Sequence, residues 1–317
     1  VLSNIISSQY VHVAFGGVVP ELASRAHVQK IIPIVNQALD SAGITLRDIE
    51  ALVVTYGPGL VGALLVGVNY VKGLSMARDI PFVGVNHIEG HIYANFLDNK
   101  EIQFPFLCLV VSGGHTQLVL VTDHLQYSII GETRDDAVGE AFDKVAKLLQ
   151  LPYPGGPQID KLAADGKPDF VAFPRALLNS GDFDFSYSGL KTAVLNYIND
   201  LGTEKTRQHL PDICASFQRA AVEVLIKKTI EAARTYQART IVLAGGVAAN
   251  SLLRSWIREA ADEYHLSVHY PPMAYCTDNA AMIARAGLEY LNRGVCSNLD
   301  LNVYPSLKLP VKGQNGS

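Results

Sequence analysis

Apolar residues follow two different spacings along this chain, and the spacing separates predicted helices from predicted strands. In residues 21–42 they recur near the 3.6-residue period of a helix, and Gly43 predicts the end of this helix because glycine is common at helix C-termini. Short β-branched runs such as 49–55 and 240–244 instead predict buried strands. The same criteria predict further helices over 63–77, 87–97, 138–150, 159–164, 191–201, 212–236, 251–264 and 280–292, and further strands within 1–15 and over 82–85, 106–111, 117–122, 127–131 and 267–270.

Strands and helices alternate along the chain, which predicts an α/β fold whose sheets have helical crossovers. The segment 112–116, with two glycines between two strands, predicts a hairpin. A chain of 317 residues is long enough for two domains, and the polar segment 98–103 is the first credible boundary. Aromatic and polar residues alternate over 183–188, which predicts a half-exposed strand that covers a core edge. A nucleic-acid surface with stacking aromatics is the less favoured alternative.

Composition narrows the class of protein. The net charge of −4 gives no general attraction to nucleic acid, so any such binding has to use a local basic patch. The four cysteines show no C-x-x-C spacing, which is typical of reduced thiols in a cytoplasmic protein. No apolar stretch approaches the roughly 18 residues of a membrane span, and no secretory signal is visible. We therefore expect a cytoplasmic protein without a membrane partner. The chain starts without Met, inside a predicted strand, and we expect that part of its beginning is missing.

The segment Asn86-His87-Ile88-Glu89-Gly90-His91 lies where a buried strand gives way to a helix. Two histidines four residues apart lie on one helical face, a spacing suited to binding a metal ion. In the zinc-peptidase pattern H-E-x-x-H a Glu directly follows the first His. Here the Glu comes one residue later, about 200° around the helix from that His, so the peptidase interpretation loses its general base. The alternative is that one His caps the helix and the other packs.

Glycine-rich turns follow several predicted strands. Such turns leave backbone amides free to bind phosphate, although those at 57–62 and 112–116 are each equally typical of close packing or a tight turn. Two helix-borne aspartates, Asp143 and Asp160, are candidates beside the turns, but Asp143 also suits an ion pair with Lys147. Asp278, at the start of a later helix, also suits a helix cap. Taken together, the turns favour a nucleotide site, and the His pair with one carboxylate favours a catalytic metal ion, although spacing alone does not choose the carboxylate. The turns at strand ends lie at 57–62, 112–116 and 245–250, and a further Gly-Gly lies at 155–156.

Seven motifs together resemble the catalytic subunit of bacterial tRNA threonylcarbamoyladenosine synthase, a family formerly labelled O-sialoglycoprotein endopeptidases. The resemblance runs across nearly the whole chain. The family opens with a strand and a loop of the type G-I-E-T-S-C-D-E-T, which this chain lacks. The matching motifs are GGVVPELASRAH at 16–27, YGPGL at 56–60, NHIEGH at 86–91, VSGGHT at 111–116, GEAFDK at 139–144, YPGGP at 153–157 and GGVAAN at 245–250.

The resemblance implies a two-domain actin and sugar-kinase-like (ASKHA) fold with a nucleotide and metal cleft between the domains. Residues 1–104 with 290–317 would form one domain and 105–289 the other. The implied reaction transfers a threonylcarbamoyl group from threonylcarbamoyl-adenylate to N6 of adenosine 37 in tRNAs that read codons starting with A. The implied partners are tRNA, a dimerisation subunit of related fold and a small ATPase.

The resemblance also implies the site residues. His87, His91 and Asp278 would bind one divalent ion, Fe²⁺ or Zn²⁺. The adenylate, or ATP, ADP or AMP, would bind in the cleft, with His115 adjoining. Two alternatives remain at this point: an ATP-dependent phosphotransferase of the carbohydrate-kinase type, and a nucleotide-gated subunit that only docks partners. The implied nucleotide-binding residues are Val110, Val111, Ser112, Gly113, Gly114, Asp143, Gly156, Asp160 and Asn250.

Overall fold

The structure is a computed structural model that describes residues 1–7, 19–99 and 101–310. The chain divides into two compact units, the first formed by Val1–Lys100 with Thr277–Pro310 and the second by Glu101–Cys276. The strands are β1 Leu52–Gly57, β2 Phe82–Asn86, β3 Phe106–Val111, β4 Thr116–Asp123, β5 Gln126–Glu132, β6 Thr240–Ala244 and β7 Ser267–His269. The α-helices are α1 Pro20–Ala42, α2 Val61–Arg78, α3 His87–Tyr93, α4 Val138–Leu148, α5 Gly155–Ala163, α6 Ser188–Leu201, α7 Thr203–Gln208, α8 Leu210–Thr235, α9 Ser251–Asp262, α10 Met273–Cys276 and α11 Ala280–Asn292. Short 3₁₀ helices cover Leu46–Asp48, Ala94–Leu97 and Gly246–Ala249.

The first unit is built on the parallel pair β1 and β2, in which Leu52 lies opposite Phe82. Helix α2 connects the two strands and packs on β1, as expected for a crossover between parallel strands. Its buried residues Leu64, Val68 and Val71 form a core with Val54, Phe82 and Val303. Strand β2 ends at Asn86, where α3 begins, so this strand fixes the start of the helix that carries the His pair.

The second unit contains a five-stranded sheet in the order β5-β4-β3-β6-β7. The predicted hairpin is confirmed, because β3 and β4 pair antiparallel from Phe106 opposite Val121 to Val111 opposite Thr116. Strand β6 pairs parallel to both β3 and β7. Every residue of β3 and β6 is buried, in agreement with their uninterrupted apolar sequences. The turns that follow these two central strands are therefore held at one edge of the sheet.

The segment 183–188 is not the predicted strand, because only an isolated bridge between Thr133 and Phe185 links it to a neighbour. Phe185 and Tyr187 are buried in the core of the second unit, so their rings are not available to stack on nucleic acid. The short helices α7 and α10 were not predicted from the apolar spacing. In the predicted strand region 1–15, residues 1–7 are irregular, and the remainder lies outside the described residues.

Helix α11 belongs to the first unit, whereas the expected boundary at 289 would have assigned Thr277 and most of α11 to the second domain. The physical reason is close packing. A Cβ on Gly287 would lie 2.4 Å from Cγ1 of Val53 in β1, and one on Gly90 would lie 2.5 Å from Cδ1 of Ile283. These two glycines let α11 approach β1 and α3 at distances that a larger residue would prevent.

The cysteines and the apolar character of the helices were the subject of two expectations from the sequence. Cys108, Cys214 and Cys276 are buried, Cys296 is exposed, and all four are free thiols. Burial raises the pKa of the Cys108 and Cys214 thiols, the latter to about 12, as expected for inert core residues. Among the helices of the described residues, none combines the length and the apolar character that crossing a membrane requires.

Candidate functional site

The His pair is presented by α3, whose start is fixed by Asn86. The side-chain oxygen of Asn86 accepts a hydrogen bond from the backbone N–H of Ile88 at 2.8 Å, and its side-chain amide donates to the carbonyl of Lys308 at 3.0 Å. Asn86, rather than either histidine, is therefore the helix cap. The alternative in which one histidine caps the helix is wrong, and both imidazoles are left for other contacts.

Both imidazoles turn toward one carboxylate oxygen. The Nε2 atoms of His87 and His91 each lie 3.3 Å from Oδ1 of Asp278, and the ligand atoms of the three residues all lie within 4.8 Å of one another. The two rings are 4.7 Å apart, with planes at 78°. Asp278 does not cap α11, because that role falls to Asn279, whose side-chain oxygen accepts from the backbone N–H of Met282 at 2.9 Å. The structure thus places the carboxylate of Asp278 beside the His pair, where spacing alone did not choose a carboxylate.

The spacing and protonation of this triad fit a divalent metal ion. Metal–ligand bonds of about 2.0–2.1 Å in a tetrahedral site place neighbouring ligand atoms about 3.3 Å apart. Burial lowers the pKa of His91, which favours the neutral imidazole that metal ions bind. Partial desolvation opposes the charge on Asp278, but hydrogen bonds and charge from the two histidines hold the pKa of this carboxyl below its usual value. Two imidazoles and one carboxylate suit both Zn²⁺ and Fe²⁺.

Glu89 points away from the triad, as the helical geometry predicted. It is 1% exposed, and it accepts hydrogen bonds from the backbone N–H of Asn86 at 3.3 Å and from the Tyr290 hydroxyl at 2.8 and 3.1 Å. A carboxylate held in this way on the far side of α3 has no access to a substrate beside the histidines. The structure therefore gives no support to a peptidase mechanism with Glu89 as base.

The hairpin turn of the second unit is closed by its own hydrogen bonds. The backbone N–H of Ser112 donates to the carbonyl of His115 at 2.8 Å, and the N–H of His115 donates to the Ser112 hydroxyl at 3.1 Å. Gly113 and Gly114, at the tip, are exposed, and a Cβ on either would meet no atom within 4 Å. The tip therefore presents accessible backbone, whereas Val110 and Val111 lie fully buried in β3.

Two other glycines bring neighbouring segments against this hairpin. A Cβ on Gly245 would lie 2.4 Å from the carbonyl oxygen of Val111, and one on Gly139 would lie 2.5 Å from that of Ser112. Gly245 also has φ of +92°, which other residues rarely adopt. The end of β3, the turn after β6 and the first turn of α4 consequently meet at one place. The structure brings together the 112–116 and 245–250 motifs, as a phosphate-binding edge requires.

Asp143 lies on α4 but does not form the ion pair with Lys147 that its sequence position suggested as an alternative. Its Oδ1 accepts a hydrogen bond from the backbone N–H of Gly155 at 2.7 Å, which ties α4 to the start of α5. Burial raises the pKa of Asp143, and the amides of Gly155 and Gly156 only partly offset this effect. A Cβ on Gly156 would meet nothing within 4 Å, so this end of α5 leaves room beside the backbone.

Asp160 and Asn250 form one polar network. The side-chain amide of Asn250 donates to Asp160 at 3.2 Å and to the Gln218 side-chain oxygen at 3.0 Å, while its oxygen accepts from the N–H of Leu253. Asp160 also accepts from the backbone N–H and the hydroxyl of Ser251, at 3.1 and 2.7 Å. Asn250 is one of the implied nucleotide-binding residues, but its side-chain amide is directed to the protein atoms of Asp160 and Gln218. Asp160 keeps additional acceptor capacity, because a carboxylate has about four lone-pair sites.

Two residues that contact the candidate site residues were not predicted from the sequence. Gln218 accepts a hydrogen bond from Asn250, and Tyr290 donates one to Glu89. Gln218 is only 4% exposed and lies among buried apolar residues of α8. A polar side chain at a core-facing helical position is a usable signal, since it needs a partner when buried. Tyr290 offered no such signal, because a tyrosine near a helix end is ordinary.

The turn at 57–62 serves packing rather than ligand binding. A Cβ on Gly57 would lie 2.2 Å from the carbonyl oxygen of Tyr304, and one on Gly62 would lie 2.2 Å from the Ser24 hydroxyl. Glycine is therefore required at both positions by atoms of the first unit itself. Of the two interpretations that the sequence left open for this turn, the structure favours close helix packing.

Comparison with known proteins identifies the family. The family model TsaD, tRNA N6-adenosine threonylcarbamoyltransferase, matches residues 1–285. The chain belongs to this family. Proteins named tRNA N6-adenosine threonylcarbamoyltransferase are 53% identical in Clostridium perfringens (strain SM101 / Type A) and 54% identical in Moorella thermoacetica, over 310 and 311 residues. Each alignment covers 98% of this chain and 91% of the relative.

Membership in the TsaD family confirms the predicted resemblance, the transferase class and threonylcarbamoyl transfer to tRNA, rather than the kinase and docking alternatives. Solved structures agree on the fold. The HypF protein of T. kodakarensis aligns with a TM-score of 0.61 at 15% identity, covering 84% of this chain and 44% of that one. Full-length HypF in a phosphate- and nucleotide-bound form aligns with a TM-score of 0.58 at 13% identity, covering 83% and 41%. The predicted ASKHA fold class is confirmed.

Proposed function

We propose that this TsaD family member transfers the threonylcarbamoyl group from threonylcarbamoyl-adenylate to N6 of adenosine 37 in tRNAs that read codons starting with A. The observation that carries the proposal is the convergence of His87, His91 and Asp278 in a chain of this family. Such a three-ligand set leaves coordination positions for substrate, as catalytic sites do and closed structural sites do not.

His87, His91 and Asp278 would hold one divalent ion, Fe²⁺ or Zn²⁺. When bound there, the ion supplies Lewis-acid chemistry that polarises the carbamate carbonyl and stabilises developing negative charge. Burial lowers the pKa of His91, which favours the neutral imidazole, and hydrogen bonds from the histidines lower the pKa of Asp278, which favours the carboxylate. These states make the electron pairs of the triad available for a cation.

The adenylate would be held by the second unit. The exposed backbone at Gly113 and Gly114 suits the phosphate, and the free acceptor sites of Asp160 suit ribose hydroxyls. Asp143 holds the start of α5, so that Gly156 presents open backbone. In the reaction the bond between the carbamoyl carbon and the phosphate oxygen breaks, a bond between that carbon and N6 forms, AMP leaves, and N6 releases one proton to solvent. AMP is a good leaving group, so the protein needs no covalent nucleophile.

The acceptor tRNA and the protein partners belong to the same proposal. A tRNA substrate places the enzyme in a compartment that contains tRNA, in keeping with the cytoplasmic expectation. We further propose that a dimerisation subunit of related fold docks on α1 and α2, and that a small ATPase joins the assembly. Exposed apolar side chains on these helices support such a surface. They are Val28, Ile32, Leu65 and Met76.

The test is a reconstituted transfer reaction with threonylcarbamoyl-adenylate, a tRNA that reads an A-starting codon and the partner proteins. Mass spectrometry of the digested tRNA measures threonylcarbamoyl-adenosine. We expect product with the wild-type chain and none with His87→Ala or Asp278→Ala, because each variant removes a metal ligand. Tyr70→Phe, a change on α2 away from the triad in sequence, is the matched control. A tRNA with guanosine at position 37 should give no product. Undiminished transfer by both triad variants would refute the proposed metal role.

A further inference from the structure

We propose that Glu89 and Tyr290 are positioning residues of the metal centre, and that their hydrogen bond holds the His pair facing Asp278. The inference rests on the proposed metal site at His87, His91 and Asp278. It gives a role to the glutamate of the N-H-I-E-G-H motif, which the transfer chemistry itself does not use.

The three metal-binding side chains come from two elements that are far apart in sequence. Helix α3 carries both histidines, and Asp278 directly precedes Asn279, the cap of α11. The distances of 3.3 Å between each Nε2 and Oδ1 therefore depend on how α3 lies against α11. A shift of about 1 Å between the helices would move both histidines together relative to Asp278, because they share one rigid helical turn.

The bond between Glu89 and Tyr290 joins these same two helices on the side of α3 away from the histidines. The Tyr290 hydroxyl approaches both carboxylate oxygens, at 2.8 and 3.1 Å. Glu89 also accepts from the backbone N–H of Asn86, so the carboxylate links the cap of α3 to the last turn of α11. Burial and the nearby Glu89 raise the pKa of Tyr290, which keeps its hydroxyl a donor. A buried carboxylate held by charge-assisted bonds tolerates little displacement.

Two other contacts between the helices are less directional than this hydrogen bond. Gly90 provides the close approach, since a Cβ there would lie 2.5 Å from Ile283. The guanidinium of Arg285 in α11 lies 5.6 Å from the ring centres of Tyr93 and Phe96. Contacts of this kind allow sliding more readily than a hydrogen bond between two fixed groups does. We therefore assign the alignment of the helices to Glu89 and Tyr290.

The surroundings of His91 make this alignment more important. Metal-binding histidines almost always donate their second ring nitrogen to a carboxylate, carbonyl or water, which orients the ring. Among residues 1–7, 19–99 and 101–310, Nδ1 of His91 has no hydrogen-bond partner. No described residue therefore orients the ring through Nδ1, and an interaction that fixes α3 also fixes where the His91 ring lies.

The experiment measures the Zn²⁺ dissociation constant of the full chain by competition with a chromophoric chelator. Tyr290→Phe removes one hydroxyl and keeps the ring, and we expect it to weaken Zn²⁺ binding about tenfold, the lower end for loss of a supporting residue around a metal site. Tyr70→Phe makes the same chemical change on α2 and should bind Zn²⁺ as the wild type does. Glu89→Gln keeps the shape of the side chain and one acceptor oxygen for the Tyr290 hydroxyl. This variant should therefore bind Zn²⁺ more tightly than Glu89→Ala does.

A purely structural role predicts a different result. In that case the variants of Glu89 and Tyr290 would lower the melting temperature of the metal-free protein but leave the Zn²⁺ affinity of the folded fraction unchanged. The double variant Glu89→Ala with Tyr290→Phe should bind no more weakly than Glu89→Ala alone, because both changes remove one interaction. Wild-type affinity in Tyr290→Phe, or additive losses in the double variant, would overturn the inference. Should Tyr290→Phe not fold, equal losses in Glu89→Gln and Glu89→Ala would overturn it. Failure of the wild-type chain to bind Zn²⁺ or Fe²⁺ would instead refute the proposed metal centre.

Discussion

The two candidate sites are built in opposite ways. In the first unit, His87 and His91 direct their Nε2 atoms at one oxygen of Asp278, an arrangement whose natural occupant is a cation. In the second unit, Asp160 and Asn250 are already bonded to Ser251 and to Gln218. The first site is a set of three converging ligand atoms that fits the proposed metal ion. The second is a rigid polar scaffold whose open backbone and spare acceptor sites are left for a ligand.

Glycines have two different roles in the second site. Gly245 is required by a positive φ and by contact with Val111, whereas Gly246, its neighbour in sequence, has no atom within 4 Å of a Cβ position. One glycine therefore shapes the turn and the other leaves space beside it. The same division separates Gly139, which contacts Ser112, from the exposed Gly113.

The largest effect on stability should come from substituting the glycine that shapes the turn. Gly245→Ala places a methyl group 2.4 Å from a backbone oxygen at a strained φ, and we expect a loss of about 3 kcal/mol in the free energy of unfolding. Gly246→Ala should change it by less than about 0.5 kcal/mol. Urea titrations followed by circular dichroism measure both. Equal losses in the two variants would show that packing at Gly245 is not what shapes this turn.

Smaller effects should separate the two sites by the ligand they bind. Asp278→Asn removes a charged ligand and should weaken Zn²⁺ binding by at least about a hundredfold. Asp160→Asn removes an ionised acceptor and should weaken AMP binding about tenfold, or about 1.4 kcal/mol. Calorimetric titration of each variant with both Zn²⁺ and AMP provides the crossed controls. Each change should leave the other ligand's affinity within about twofold. A variant that lost both affinities equally would contradict the assignment of separate roles.

The sequence predicted the regular elements of the fold better than its irregular parts. Continuous apolar runs identified β3 and β6, because a strand buried on both faces leaves no polar position. The alternation at 183–188 predicted a strand incorrectly, because Phe185 and Tyr187 are buried by packing in the core without a neighbouring strand. Periodicity reports which side chains are buried, and it does not report what buries them.

The site residues divide along similar lines. The spacing of His87 and His91 was informative because both ligands lie on one helix, and helical geometry is known in advance. Asp278 was predicted to be a metal ligand only through family resemblance, because its approach to α3 depends on the packing of Gly90 and Gly287. The ties of Asp143 to Gly155 and of Glu89 to Tyr290 also join distant segments, and no local pattern encodes them.

The central claim is that the triad of His87, His91 and Asp278 holds a metal ion on which threonylcarbamoyl transfer depends. The most direct measurement strips the protein of metal with a chelator, restores Fe²⁺ or Zn²⁺ in steps, and follows threonylcarbamoyl-adenosine in tRNA by mass spectrometry. We predict no product from the metal-free chain, and product that rises with bound metal to a plateau at one ion per chain. Transfer by the metal-free chain at the rate of the reloaded chain would contradict the account.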